Sequence, residues 1–247
     1  MDRLIYTAMS GANQVLGQQA TVSQNLANTH TPGFRAAINT FRSVPLVGEG
    51  LPTRVFVADS SAGVDFTAGS MEPTGRNLDV AIDGKGWLAV QAPDGKESYT
   101  RNGGFKITSN GILQTQSGLN VIGDAGPITV PPNTEVTIAK DGTISTVPSG
   151  SKPAAVVTVG RLKLTNPPES QMVRTEDGMF RTLDGKAAPA DSKVTVVSGN
   201  LESSNVSAVE AMVNMISLAR QFDNQMKMLQ TADNDAKAAT SLLSING

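Results

Sequence analysis

The chain has 247 residues, a formal net charge of -2 and no cysteine, with 39% hydrophobic and only 4% aromatic residues. That length admits one large domain or two small ones, and the lack of cysteine excludes disulfides, thiolate nucleophiles and Cys-ligated metal sites. The near-neutral balance argues against a nucleic-acid partner, which requires a basic excess, and the scarcity of aromatics argues against a base-stacking surface.

Residues Met1–Gln14 show no basic segment followed by an apolar stretch, so no cleaved secretory signal is expected. No apolar run approaches the roughly 18 residues that span a bilayer, so direct membrane insertion is not expected either.

Helix breakers are unevenly placed. All 13 prolines lie between Pro32 and Pro189, and only Gly11, Gly17 and Gly247 of the 24 glycines fall outside residues 33–199. Helix at each end with β structure between follows, an α+β chain. Three parts are expected. Residues 1–30 with 205–247 form a discontinuous helical domain, its two helices pairing in a coiled-coil-like manner around a central, mainly antiparallel β domain at 76–204. Residues 31–75, with Pro45, Pro52 and Pro73, form an extended connector with one hairpin.

The first helix is expected from about Leu4 to Ala27. Ile5, Ala8, Ala12, Val15, Val22 and Leu26 recur at alternating spacings of three and four, with Gln19 in the missing slot. Its other face is Gln, Asn, Ser and Thr, unlike the Lys/Arg face of a membrane-surface helix.

In the middle, Leu78, Val80 and Ile82 alternate with small or polar residues. Trp87–Gln91, Ile128–Val130, Val136–Ile138, Val156–Leu164 and Val194–Val197 are further β-rich runs. Asp-Gly or Asn-Gly pairs at 83–84, 94–95, 102–103, 110–111, 141–142, 177–178 and 184–185 separate them and favour tight turns with positive φ.

The second helix is expected from about Ser207 to Leu243. Ser207 and Glu210 have capping-box spacing. Met212, Met215, Ala219, Phe222, Met226, Leu229, Ala236 and Leu243 then fall on one heptad stripe, interrupted by Asp233 and Thr240.

No catalytic, cofactor or metal site emerges. Gly84-Lys-Gly-Trp-Leu-Ala89 fits a dinucleotide-binding string, but a strand rather than a helix follows it, so a hairpin turn is expected. His30 is the sole histidine and has no cysteine to share a metal with. The Asp-Gly turns lack the acidic spacing of a calcium loop.

Four segments in order carry a family likeness. Asn25-Leu26-Ala27-Asn28 followed by Thr31-Pro32-Gly33-Phe34-Arg35, then Leu78–Trp87, then Tyr99–Phe105, then Ser198–Val206 with Val209–Ile216, resemble the corresponding segments of the flagellar rod and hook axial proteins. The opening Met1–Tyr6 and the Gly-Trp-Leu at 86–88 resemble the proximal-rod branch, since the distal-rod branch more usually has Phe-Phe after that glycine. A distal-rod or hook subunit is the alternative within the family; a coiled-coil adaptor with a β binding domain is the alternative outside it.

The resemblance implies a non-enzymatic subunit of the proximal rod of the flagellar basal body, located in the periplasm. Its partners would be copies of itself, other rod proteins and the flagellar type III export apparatus, which carries subunits out without a cleaved signal. No cofactor is implied. The side chains expected to pack between subunits are Ile5, Ala12, Val15, Leu26, Met212, Met215, Ala219, Phe222, Met226, Leu229 and Leu243.

Overall fold

The structure is a computed structural model that describes residues 2–45, 55–148 and 156–245. It is α+β: one helix near each end of the chain and a mostly antiparallel β region between them. The chain gathers into two compact units. The helical unit comprises Met1–Thr29, Ala36–Asp65 and Val206–Gly247; the β unit comprises His30–Arg35 and Phe66–Asn205.

In the helical unit, α1 runs Asp2–Ala27 and α2 runs Ala208–Ile245. The end of α1 is set by polar side chains: the Asn28 amide donates to the Gln24 and Asn25 carbonyls, and Thr29 Oγ1 donates to the Leu26 carbonyl at 2.7 Å. Pro32 then prevents continuation. At the start of α2, Ser207 Oγ accepts the Glu210 amide at 3.4 Å, the serine half of the capping box. Asp233 and Lys237 pair at 2.6 Å. An exposed pair of this kind contributes only about 0.3–0.5 kcal/mol, so packing along α1 rather than surface charge must hold so long a helix.

The segment expected as a connector divides between the units. Within it, strands β1 (Ala37–Pro45) and β2 (Val55–Val64) form an antiparallel hairpin, bulged between Asn39 and Phe41, that packs on α1. Residues 46–54 lie outside the described residues.

In the β unit, strand Trp87–Gln91 is central. It pairs with Glu97–Thr100, with Asn120–Gly123 and with Leu164–Thr165. Trp87, Leu88, Ala89 and Val90 are all buried, which explains an uninterrupted apolar run where a half-exposed strand would alternate. The sheet continues through Phe180–Thr182 to Met172–Arg174 on one side, and through Leu113–Thr115 to Phe105–Ile107 on the other. Strands Thr134–Ile138, Thr143–Pro148 and Val157–Arg161 form a separate sheet. Val80, Ile82, Leu88, Phe105, Leu113 and Ile144 lie at the heart of one buried cluster.

Three local expectations are corrected. Ile128–Val130 is not a ladder strand: only an isolated bridge from Thr129 to Ile112 forms, although Ile128 and Val130 are buried in the core. Core burial alone accounts for that apolar pattern. Residues 84–86 of the glycine string link two strands but join no hairpin, because Val80–Asp83 pairs with Thr195–Ser198 instead. Asn102-Gly103 is not a positive-φ turn. Asn102 Oδ1 accepts the Gly104 amide there, and a Cβ on Gly103 would lie 1.9 Å from the Val80 carbonyl oxygen, so the glycine serves a close backbone approach.

Candidate functional site

On α1, Ala8, Ala12 and Val15 are buried, while Ile5, Gln19, Val22 and Leu26 are half-buried. On α2 the less exposed positions are Ala208, Ala211, Met215, Leu218, Phe222, Gln225, Leu229, Ala232 and Ala236, again alternating by three and four. The stripe covered within the chain coincides only in part with the one read from the sequence. Met215, Phe222 and Leu229 lie on it, but Met212, Ala219 and Met226 do not and are exposed. The Leu243 side chain lies outside the described residues.

The reason is geometric. Residues 215, 222 and 229 have neighbours at both 212/219/226 and 211/218/225, and either set satisfies the alternation. The second set wins because it presents alanine at 211 and 232, where the first would place Asp233 in the seam. Gln225 lies over Gly11 of α1, with its side-chain carbon 3.2 Å from where a Cβ would stand. Part of what remains open is apolar: Val209, Met212, Val213 and Ile216 on α2 are 51% to 74% exposed, and Tyr6, Met9 and Leu16 on α1 are about half exposed.

The segment Asn25–Asn28 explains how the hairpin is seated. Asn25 Nδ2 donates to the Ala37 carbonyl and Asn25 Oδ1 accepts the Ala37 amide, both at 2.9 Å. One side-chain amide thus pairs with the strand backbone as a neighbouring strand would. Thr21 Oγ1 donates to Asn39 Oδ1 at 2.9 Å beside it. Leu26 is half-buried, Ala27 is exposed, and Asn28 Nδ2 donates back to the Gln24 carbonyl.

The Thr31–Arg35 segment enters the β unit. Thr31 is exposed and Pro32 half-buried, whereas Gly33, Phe34 and Arg35 are buried. Gly33 adopts φ +70, and a Cβ there would lie 2.4 Å from the Arg101 carbonyl carbon, so only glycine permits this approach. Phe34 packs under Arg174, whose guanidinium lies 4.3 Å from the ring centroid and donates to the Arg35 carbonyl at 3.1 Å.

Arg35 is 1% exposed and meets Glu202 at 2.6 Å; Arg101 meets the other oxygen of Glu202 at 3.1 Å. Arg101 also donates to the Gly84 carbonyl at 2.6 Å and lies 5.8 Å from the Trp87 ring centroid. Burial lowers the Arg101 guanidinium to about 10; Glu202 opposes that shift and Arg35 adds to it, and the group stays charged at neutral pH. Two cations thus share one buried carboxylate. Arg101 and Glu202 were visible in sequence only as members of the resembling segments. The signal that marks them is a charged residue inside an otherwise apolar or turn-forming block.

Among the described residues no cluster of His, Asp and Glu could hold a metal ion. No described helix is long and apolar enough to cross a membrane. His30 is exposed.

Residues 5–35 match the family model described as flagella basal body rod protein. Residues 81–146 match that of the flagellar hook protein FlgE/F/G D1 domain, and residues 197–242 that of the flagellar basal body rod FlgEFG protein C-terminal region. The chain is 49% identical to flagellar basal-body rod protein FlgF of Escherichia coli (strain K12) and 48% identical to that of Salmonella typhimurium, over 100% of each chain. It is 31% identical to flagellar basal-body rod protein FlgG of Buchnera aphidicola subsp. Acyrthosiphon pisum, over 86% of this chain and 88% of that relative.

Proposed function

Since the chain belongs to the FlgF family of flagellar basal-body rod proteins, we propose that it builds the proximal rod by polymerising through its two terminal helices and so transmits torque across the periplasm. It is a structural subunit of the basal body and not an enzyme.

The observation that carries the mode of assembly is the apolar surface left on the helices. Val209, Met212, Val213 and Ile216 expose large aliphatic side chains on the first turns of α2. Tyr6, Met9 and Leu16 do the same on α1. A contiguous apolar face of this kind marks a surface that another chain covers. In this reading α1 and α2 pair in a coiled-coil-like manner within a subunit, and their outer faces meet copies of the chain or other rod proteins. The contacts are head-to-tail and generate a helical array rather than a closed dimer. Ile5, Ala12, Val15, Leu26, Met215, Phe222 and Leu229 set the spacing of the pair, while Met212, Ala219 and Met226 face the neighbour. The flagellar type III export apparatus would deliver the chain.

Electron cryomicroscopy of basal bodies from a strain lacking only this chain tests the reading. The expected result is a rod that stops short, with the distal rod and hook missing. A complete proximal rod lacking only its distal part would move the chain to the distal rod, and unchanged basal bodies would refute an axial role.

A further inference from the structure

The β unit contains three segments by which the chain enters or leaves it: residues 30–35, the stretch from Phe66, and the stretch that ends at Asn205. All three converge on Glu202. The Gly33 amide donates to the Glu202 carbonyl at 2.8 Å, and the Gly69 amide donates to Glu202 Oε1 at 3.0 Å. Around it, the Ser203 amide donates to the Ser70 carbonyl at 2.8 Å, and the Asn205 amide to the Phe34 carbonyl at 3.3 Å. A Cβ on Gly69 would lie 2.0 Å from the Ser203 carbonyl oxygen, so the backbones meet with no room to slide. The same carboxylate is the shared anion of Arg35 and Arg101, and all three side chains are at least nine-tenths buried.

We propose that Glu202 is the positioning residue of a buried clasp that holds these three segments in one register, and that the clasp acts for registration rather than for net stability. The argument is electrostatic. A buried ion cluster recovers little more than the desolvation of its members, and apolar residues of similar volume often replace such clusters at no loss. Here two guanidiniums share one carboxylate, and Nε and Nη1 of Arg35 find no hydrogen-bond partner among the described residues, so the cluster is a poor stabiliser. It is a strong discriminator, because any shift of residue 35, 101 or 202 leaves a buried charge without its counter-charge, and a shift of residue 69 costs the carboxylate an amide donor. If the chain transmits torque as proposed above, such a junction would keep the exits of the β unit from slipping under load. The clasp itself is a property of the isolated chain and is tested there.

The test is amide hydrogen exchange and denaturant unfolding of the full chain carrying Arg35→Met, Arg101→Met and Glu202→Leu together. Exchange at Gly33, Ser203 and Asn205 is the readout, since their backbone acceptors survive the substitutions. Ala89 and Leu113, which donate to the Lys163 and Ile128 carbonyls, are the core references. The expected result is global stability and core exchange as in the unaltered chain, with exchange at the three clasp amides accelerated about tenfold or more. Unchanged clasp amides would overturn the proposal, as would a loss of global stability, which would make the cluster a stabiliser. Glu202→Gln alone is the second variant. It strands two buried guanidiniums and should lower the folding equilibrium about a hundredfold or more; no change there would equally overturn the proposal.

Discussion

Replacing Ile216 by Asp separates folding from assembly. Ile216 is 56% exposed on α2, and the neighbouring Val213, Met212 and Val209 are as open or nearly so. In the free subunit the substitution touches little: surface changes usually stay within about 0.5 kcal/mol, and the helix-propensity difference between Ile and Asp is a few tenths of a kcal/mol at most. In the assembled rod the same position would be covered. Full burial of an isoleucine contributes about 1.5–3 kcal/mol. Since roughly half of the side chain is already buried, about 1–1.5 kcal/mol remains to be gained on assembly. Losing that gain alone weakens each contact about tenfold. An aspartate must also desolvate a carboxylate, at several kcal/mol, which brings the total loss to about a thousandfold or more. Far-UV circular dichroism of the purified chain should show an unchanged helical signal and melting curve. A strain carrying the variant in place of the native chain should fail to swim on soft agar. Normal swimming would refute the assignment of this face to assembly.

Four further outcomes follow from the same structure. Gly33→Ala forces a side chain onto φ +70 and into the Arg101 backbone; strain and overpacking together should cost about 2–5 kcal/mol, measured by denaturant unfolding with Trp87 fluorescence. Phe222→Ala removes a half-buried ring of the helical unit. It should cost roughly 2 kcal/mol, below the 3–5 of a fully buried phenylalanine, and lower the helical melting midpoint while Trp87 fluorescence is unchanged. Tyr99 is pushed up to about 12, chiefly by burial, and its hydroxyl oxygen accepts the Ala188 amide at 2.6 Å. A raised folded value means that the unfolded chain loses this proton first. Stability is therefore fully present below pH 10 and falls as pH rises from 10 through about 12, and Tyr99→Phe should flatten that fall. Limited proteolysis of the free subunit should cut the terminal helices before residues 76–204, since the uncovered apolar face leaves the helical unit the less stable of the two; equal resistance would count against that difference.

The ends of the two helices were legible within two residues, because proline placement, a serine cap and heptad spacing are local signals. Strand Trp87–Gln91 was legible to the residue, since a run of buried apolar residues between turn formers has few other readings. The turns were legible in part. Gly84, Gly95, Gly111, Gly142, Gly178 and Gly185 adopt positive φ, yet Asn133 is the only non-glycine residue to do so among those described. The tight two-residue turn that needs positive φ at both positions is therefore not the one used.

The order of helix, mainly antiparallel β region and helix is legible in the chain itself. Those features arise from interactions among residues a few places apart, and the placement of proline and glycine along the chain reveals them. Which flank of α2 is covered became plain only in the fold: heptad spacing admits residues 211 and 212 alike, and the packed helix buries Ala211 and Ala232 while Asp233 stays exposed. Only the tertiary structure brought Arg35, Arg101 and Glu202 together. No local rule links residues so far apart along the chain, and a buried charge shows its reason for being there only when its partner is in view.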